Sequence, residues 1–477
     1  MSGRVWRATN RFARDSVLYA AAGALGKGLA LFTVPLLSRS LGPEQYGSAD
    51  LAIAFSFLAT LIVSFSGDIS AGRLAAMAPD VASRRSILAS WIAATALVAI
   101  ATAVVLAPFS GKIATVLWDA PDRAPLAFLA VILIPIAAVQ AALTSVLRLE
   151  SRAIASAATA ITDLIAQLFL GILFVLLGAG PVGLIAGYVI GSTVGLLVAA
   201  IASWKHLKGP ITASDMIRVV RVGLPFLPAG TVFIGSEYVV RSIVLGDLGD
   251  AAVGQLAVAI RLANAMLLVS AGFSLAWGPF GLAQRFESKT SHLFGLVFLG
   301  FAVGSAVFAL TAAAIGPEVV RIVSGSNYLG ASPALPGLLL AAAMSGLFYI
   351  QAIAAGVQER TRGVPIAAVA GSLTQIVVTL MAVPTLGLAG VGIGAVIGRA
   401  LSLLVLGYET RSAIRLQPMT VIVIVTALMT ALILGYLSRE PDDTVWYRVA
   451  ALVMTIAAGL TAWQWWIRPQ LAQQTAQ

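Results

Sequence analysis

The 477-residue chain has no cysteine, only two histidines and few charges, and each scarcity removes a class of chemistry. Without Cys there are no disulfides, thiolate nucleophiles or Cys-ligated metals. His206 and His292 stand far apart beside short loops, so neither a histidine metal site nor a His-based catalytic group is expected. No GxxxxGK[ST] phosphate loop occurs, and no segment reads as a domain to hold ATP. No short apolar stretch followed by a small-residue cleavage site opens the chain; Arg4, Arg7, Arg11 and Arg14 precede an uncleaved first span. Only 10% of residues are charged, against 59% hydrophobic and a mean hydropathy of +0.96, which a soluble chain of this length does not need for its core. These values describe a polytopic membrane protein. The formal charge of +10 is scattered as loop punctuation rather than gathered into a patch, so it reports topology and no nucleic-acid partner is expected.

A bilayer core of ~30 Å asks for about 20 apolar residues per helix. Cut at its charged and Gly/Pro breaks, the chain yields fourteen such segments: 16–37, 48–67, 86–108, 124–147, 153–178, 181–203, 220–243, 252–276, 291–315, 335–357, 363–385, 387–408, 417–437 and 445–467. With the N-terminus inside, twenty Lys and Arg fall on inner segments and six on outer ones: Arg39, Lys112, Arg123, Arg321, Arg439 and Arg448. That bias expects both termini in the cytoplasm. Trp446, Trp463, Trp465 and Trp466 bracket the last span as interfacial anchors.

The chain also repeats itself. Gly183, Gly187 and Gly191 recur 207 residues later as Gly390, Gly394 and Gly398, and Leu41-Gly42 with Gly47 recurs as Leu248-Gly249 with Gly254. The offset equals six spans, an even number, so the copies share orientation. The expected architecture is therefore all-α: an N-terminal lobe over 1–210, a C-terminal lobe over 211–416, and two extra helices with a short cytoplasmic tail over 417–477. A repeated membrane half is characteristic of a transporter body. Glycine at every fourth position suits close helix packing within each lobe.

Ionisable side chains at mid-bilayer are costly and normally face a bundle interior or wet cavity. Six qualify: Lys27, Asp163, Glu237, Arg241, Arg261 and Arg399. Glu237 and Arg241 stand four apart, in the order that favours a helical ion pair. Four cations against two acids favour an anionic cargo, with Lys27, Arg261 and Arg399 on a diphosphate or acidic sugar. Asp163 and Glu237 are the candidates for a coupling carboxylate. The competing reading closes Lys27 on Asp163 and Glu237 on Arg241 as structural pairs. Arg39 and Glu44 are expected as an outer-gate pair.

The segment Leu37-Ser38-Arg39-Ser40-Leu41-Gly42-Pro43-Glu44-Gln45-Tyr46-Gly47, with Phe12-Ala13-Arg14-Asp15-Ser16 before it, resembles the opening of Wzx-type oligosaccharide flippases, described broadly as polysaccharide biosynthesis proteins. Gly223-Leu224-Pro225, the Glu237 to Arg241 region, and Gly254 with Ala257 and Arg261 extend the likeness; Glu237-Tyr238 departs from the Asp-Arg pair of many relatives. The resemblance places the chain beside multidrug-and-toxin-extrusion antiporters and lipid II flippases. It implies two six-helix lobes around a V-shaped cavity, moving a polyprenyl-diphosphate-linked oligosaccharide from inner to outer leaflet by alternating access. It also implies a bacterial cytoplasmic membrane and work beside a polysaccharide polymerase and glycosyltransferases. No cofactor is expected beyond H+, Na+ or the membrane potential as energy source.

Three alternatives stay open: an ion-coupled antiporter of drugs or small solutes, a lipid II flippase, and a lipid-dependent glycosyltransferase or polymerase. The first usually carries buried carboxylates and twelve spans. The enzymes usually carry a large outer loop or an acidic metal motif, and Asp119 with Asp122 reads instead as a solvated turn.

Overall fold

Every expected span coincides, in whole or in part, with a helix of the computed structural model, which describes residues 2–283, 290–414, 418–439, 444–462 and 464. The side chains of residues 2–24 and of Lys27 lie outside the described residues, as do Trp463, Trp465 and Trp466. The helices are α1 (Ser2–Val63), α2 (Gly67–Ala76), α3 (Val81–Leu106), α4 (Ser110–Trp118), α5 (Ala124–Leu149), α6 (Ala153–Phe174), α7 (Gly180–Ser203), α8 (Ala213–Gly223) and α9 (Leu227–Leu248). They continue as α10 (Asp250–Ala283), α11 (Thr290–Ala314), α12 (Gly316–Ser324), α13 (Leu335–Val357), α14 (Gly363–Leu386), α15 (Leu388–Thr410), α16 (Pro418–Leu437) and α17 (Val445–Ala462). No strand occurs among the described residues. In lipid every backbone N–H and C=O must be satisfied within its own segment, and helices do this.

Ten helical stretches among the described residues are long and apolar enough to cross a membrane; an eleventh, Ala213–Phe226 with Gly230–Leu248, is bent by 61°. One of the ten, Ala153–His206, runs 54 residues through a break at Gly178 and holds two of the expected spans. The protein is thus a multi-pass membrane protein of all-α fold, and fourteen is an approximate count of its crossings.

Backbone geometry carries the duplication further than sequence does. Left-handed φ values recur in register: Gly42 and Gly249 (72° and 84°), Asp119 and Gly325 (51° and 93°), Ser151 and Glu359 (55° and 60°), Gly180 and Gly387 (both 59°). These pairs stand 206 to 208 residues apart. Each marks the same kind of place in its copy: the break before the second span, the end of a nine-residue helix, a tight helix–helix turn, and the joint of a hairpin. A turn needing φ > 0 restricts side chains, which explains why glycine holds five of the eight positions.

The segment Leu37–Gly47, expected as a loop, is helical on both sides of Gly42. Gly42 alone departs (φ 72°, ψ 169°), and Pro43 opens the second half, where a missing N–H costs nothing. Arg448 is a second departure: counted with the outer cations at the start of the last span, it is buried on α17, 2% exposed.

By contact the chain divides into Met1–Ser242 and Ile243–Gln477. In the first unit Phe65, Leu74, Ile87, Leu88, Trp91, Val146 and Val219 form an apolar cluster joining α2, α3, α5 and α8. In the second, α16 packs on α11 through Leu299, Val303 and Val423. Arg448 ties α17 to the same body, donating to both carboxylate oxygens of Glu318 (2.9 and 2.7 Å) and to the carbonyl of Ala314 (2.9 Å).

Candidate functional site

The glycine ladders build two matching hairpins, and the polar residues sit in their seams. On α7 a Cβ at Gly187 would overlap the backbone of Gly171, and one at Gly191 the backbone of Gln167. On α15 a Cβ at Gly390 would come within 2.7 Å of the Ala382 backbone, and one at Gly398 would press on Gly371 and Gln375. Removal of Cβ therefore lets each pair of backbones meet, because without a hydrophobic drive between helices in lipid, close packing supplies the attraction.

That close approach positions Asp163. Its carboxyl lies on α6 against Gly195 of α7, where an added Cβ would stand 2.7 Å from Oδ1. Gln167, one turn on, donates from Nε2 to Asp163 Oδ1 (2.8 Å) and to Ser192 Oγ (2.8 Å). Tyr188, buried on α7, lies within electrostatic reach of Asp163 and of Asp50. The seam thus holds a carboxylate, an amide and a hydroxyl in one hydrogen-bonded chain, with a phenol within electrostatic reach. Such a set can hold a proton or a small cation.

The corresponding seam of the second unit is built differently. Alignment of the hairpins places Gly371 where the first has Asp163, Gln375 opposite Gln167, Arg399 opposite Ser192 and Ser402 opposite Gly195. Ser402 donates to the carbonyl of Ala367 (3.0 Å) across the seam. Arg399 lies half-buried on α15, its guanidinium 6.0 Å from the ring centroid of Phe348 on α13, a cation–π distance. Arg261 on α10 is half-buried within electrostatic reach of Tyr328, a buried residue of the segment 326–334.

Glu237 and Arg241 do approach across one helical turn, but the pair is the weaker half of a triad. Arg241 Nε donates to Asp50 Oδ2 at 2.8 Å, whereas its Nη1 stands 3.8 Å from the Glu237 carboxylate and donates to that residue's carbonyl at 3.0 Å. The side chains of Arg241 and Asp50 are 10% and 8% exposed. Sequence reasoning missed Asp50 because the second span was taken to begin at residue 48. The helix resumes at Pro43, which puts Asp50 two turns inside.

With Asp50 included, the mid-span charges are four cations and three acids, and the positive excess expected from sequence halves. The charges also separate by unit: Asp50, Asp163, Glu237, Arg241 and Lys27 precede Ser242, whereas Arg261 and Arg399 follow it. Glu44 is exposed and 3.7 Å from Arg123 at the entry to α5; Arg39 is exposed on α1 before the Gly42 break. No cluster of three or more His, Cys, Asp or Glu suited to a metal occurs among the described residues.

Comparison with known proteins accords with this architecture. A solved structure of the lipid II flippase MurJ in an inward closed conformation superposes with a TM-score of 0.75 at 16% identity, covering 95% of this chain and 100% of that one. An inward-facing multidrug resistance MATE family transporter of the MOP superfamily gives 0.61 at 16% identity, covering 82% and 94%. An outward-facing structure of a multidrug resistance MATE family transporter gives 0.55 at 17% identity, covering 84% and 95%. No curated protein sequence matches. The fold is therefore the one shared by these non-catalytic transporters. The family described as polysaccharide biosynthesis protein matches residues 12–279, more than half of the chain, and the chain belongs to that family.

Proposed function

We propose that the protein is a flippase that carries a polyprenyl-diphosphate-linked oligosaccharide from the inner to the outer leaflet of a bacterial cytoplasmic membrane. The family match over residues 12–279 carries this reading, and the two mid-span arginines of the second unit support it. A diphosphate is a natural ligand for guanidinium forks, and Arg261 and Arg399 place two guanidinium groups in spanning helices of the second unit, whereas Arg241 is bonded to Asp50. The polyprenyl tail can stay in lipid while the sugar and diphosphate pass through a wet, cationic route.

The lobes, taken as 1–210 and 211–416 with an appendage over 417–477, work by alternating access. Energy comes from an ion, the membrane potential or the cargo gradient. Asp163 is the favoured coupling carboxylate because Gln167 and Ser192 join it in a hydrogen-bonded chain of groups that can hold a proton or cation, with Tyr188 within electrostatic reach. Glu237 is committed in part to Arg241. In this reading both termini face the cytoplasm, which the twenty-to-six distribution of Lys and Arg supports. A polysaccharide polymerase, glycosyltransferases and bilayer lipids are the expected neighbours.

Asp163 in this fold also favours a second reading, an ion-coupled antiporter of soluble solutes. One experiment separates them. Cells depleted of the protein are analysed by mass spectrometry for polyprenyl-diphosphate-linked oligosaccharides, with sidedness read by an impermeant sugar-oxidising reagent. Accumulation of a completed, inward-facing unit is expected. Absence of accumulation with unchanged surface polysaccharide overturns the flippase reading and favours the antiporter. In the same cells Arg399→Gln and Asp163→Asn should each reduce flipping at least about tenfold, the equivalent of ~1.4 kcal/mol, with membrane levels unchanged. Loss of the protein itself would make the residue structural.

A further inference from the structure

A cationic, partly apolar face surrounds the connector between α7 and α8. Trp204, Ile211 and Ile217 are 66%, 62% and 58% exposed. Between and beside them Lys205, Lys208, Arg218 and Arg221 point outward, with Arg85 of α3 close by through the packing of Gly209 on the Arg85 backbone. None of the five is paired with a carboxylate among the described residues. On α8, Ile217 and Arg221 fall at i and i+4 with Arg218 beside them, while Val219 and Gly223 form the buried side against α2 and α3.

Of the acids of this region Glu150 and Asp215 are half-buried and hydrogen-bonded, and Asp80 is exposed at the start of α3. Glu150 accepts from Arg84 Nε (2.8 Å) and meets His206 Nδ1 (3.1 Å). Asp215 accepts from Ser86 Oγ (2.7 Å), and Asp80 caps α3 through the Ser83 N–H, a bond that holds its carboxyl below the ordinary aspartate value. Glu150 is thus engaged by Arg84 and His206, and Asp215 by Ser86, not by the five cations. The connector is also fixed in place, since Ser86 donates to the Pro210 carbonyl (2.9 Å) and the Thr212 N–H donates to Ser90 Oγ (3.0 Å). The surface is therefore pre-formed, not a floating basic loop.

Exposed aromatic and aliphatic side chains interleaved with unpaired cations, at the end of a spanning helix, match the interfacial zone of a bilayer. The cations suit phosphodiester headgroups, and the apolar residues suit the acyl boundary beneath them. We infer that the α7–α8 connector and α8 form a docking surface for anionic phospholipid headgroups, with Lys205, Lys208, Arg218 and Arg221 holding phosphate and Trp204 and Ile217 seated in the bilayer. The inference concerns bilayer lipid and stands whatever the cargo is.

The test is native mass spectrometry of the full-length protein released from nanodiscs of equal parts phosphatidylglycerol and phosphatidylethanolamine. Phosphatidylglycerol should be retained in at least about tenfold excess. The excess should collapse in the variant carrying Lys205→Gln, Lys208→Gln, Arg218→Gln and Arg221→Gln, and persist when Arg360, Arg362 and Arg411 are changed to Gln instead. If the fourfold variant is not monodisperse, the wild type decides: about 1 M salt should erase the excess, because it shortens the screening length to ~3 Å. Equal retention of the two lipids, an excess that survives the fourfold change or survives salt, or displacement by millimolar glycerol phosphate overturns the proposal.

Discussion

The hairpins α6–α7 and α14–α15 share a scaffold and differ in charge. Both are closed by glycines at every fourth position, both begin their second helix at a glycine with φ 59°, and both keep a glutamine in the seam, Gln167 or Gln375. In the first copy the seam opens at Gly195 to admit Asp163; in the second the room is on the other side, at Gly371, and Ser402 fills it. Where the first copy has Ser192, the second has Arg399. Duplication preserved the backbone contacts, which tolerate no Cβ, while the seam positions beside them diverged to opposite charge. One seam thus carries an acid and the other a cation.

The deepest asymmetry is the Asp50–Arg241–Glu237 triad, which has no counterpart in the second unit: 207 residues on from Asp50 stands Ala257. Arg241→Ala leaves the Asp50 carboxylate, 8% exposed, without its 2.8 Å partner. It should cost about 3–5 kcal/mol, the range for breaking a buried pair. The measurement is the melting temperature of purified protein in detergent; a near-wild-type value would mean that Asp50 finds another donor.

The scaffold symmetry can be tested by overpacking both ladders. Gly187→Ala and Gly394→Ala should each cost about 1–3 kcal/mol, because the new methyl meets backbone or a buried hydroxyl. Gly300→Ala, with nothing within 4 Å of the added carbon, should change stability by less than about 0.5 kcal/mol. Unequal losses at 187 and 394 would break the equivalence of the two seams.

A smaller effect than at the ladders is expected at the appendage, which only the second unit carries. The hydrogen bonds from Arg448 hold the Glu318 carboxyl below its ordinary value of 4.5. A carboxyl with a depressed folded value adds stability that is complete above its unfolded value and is lost as pH falls through the folded one. The difference in melting temperature between wild type and Glu318→Gln should therefore be constant from neutral pH down to about 5 and shrink below 4.5. The contribution is small, about 1 kcal/mol, since Glu318 is 46% exposed. A difference that grew on acidification would sink the assignment.

Periodicity and charge placed the spans, because a membrane helix must be apolar over its whole length and that length is set by the bilayer. The 207-residue offset was equally legible: glycines at interfaces and turns are held by backbone sterics, so they outlast the divergence around them. The mid-span charges were visible as expensive residues, and Arg261, Arg399 and Asp163 all lie in spanning helices as expected. What the sequence could not supply was partnership. Asp50 and Arg241 lie 191 residues apart, Arg448 and Glu318 130 apart, and the glycine that admits Asp163 is on the neighbouring helix. Helical spacing predicts neighbours only three or four residues away, so Glu237 was credited with an arginine that Asp50 holds more closely. Which charges meet was decided by how the helices pack, and packing depends on side-chain shapes from segments that no local pattern connects.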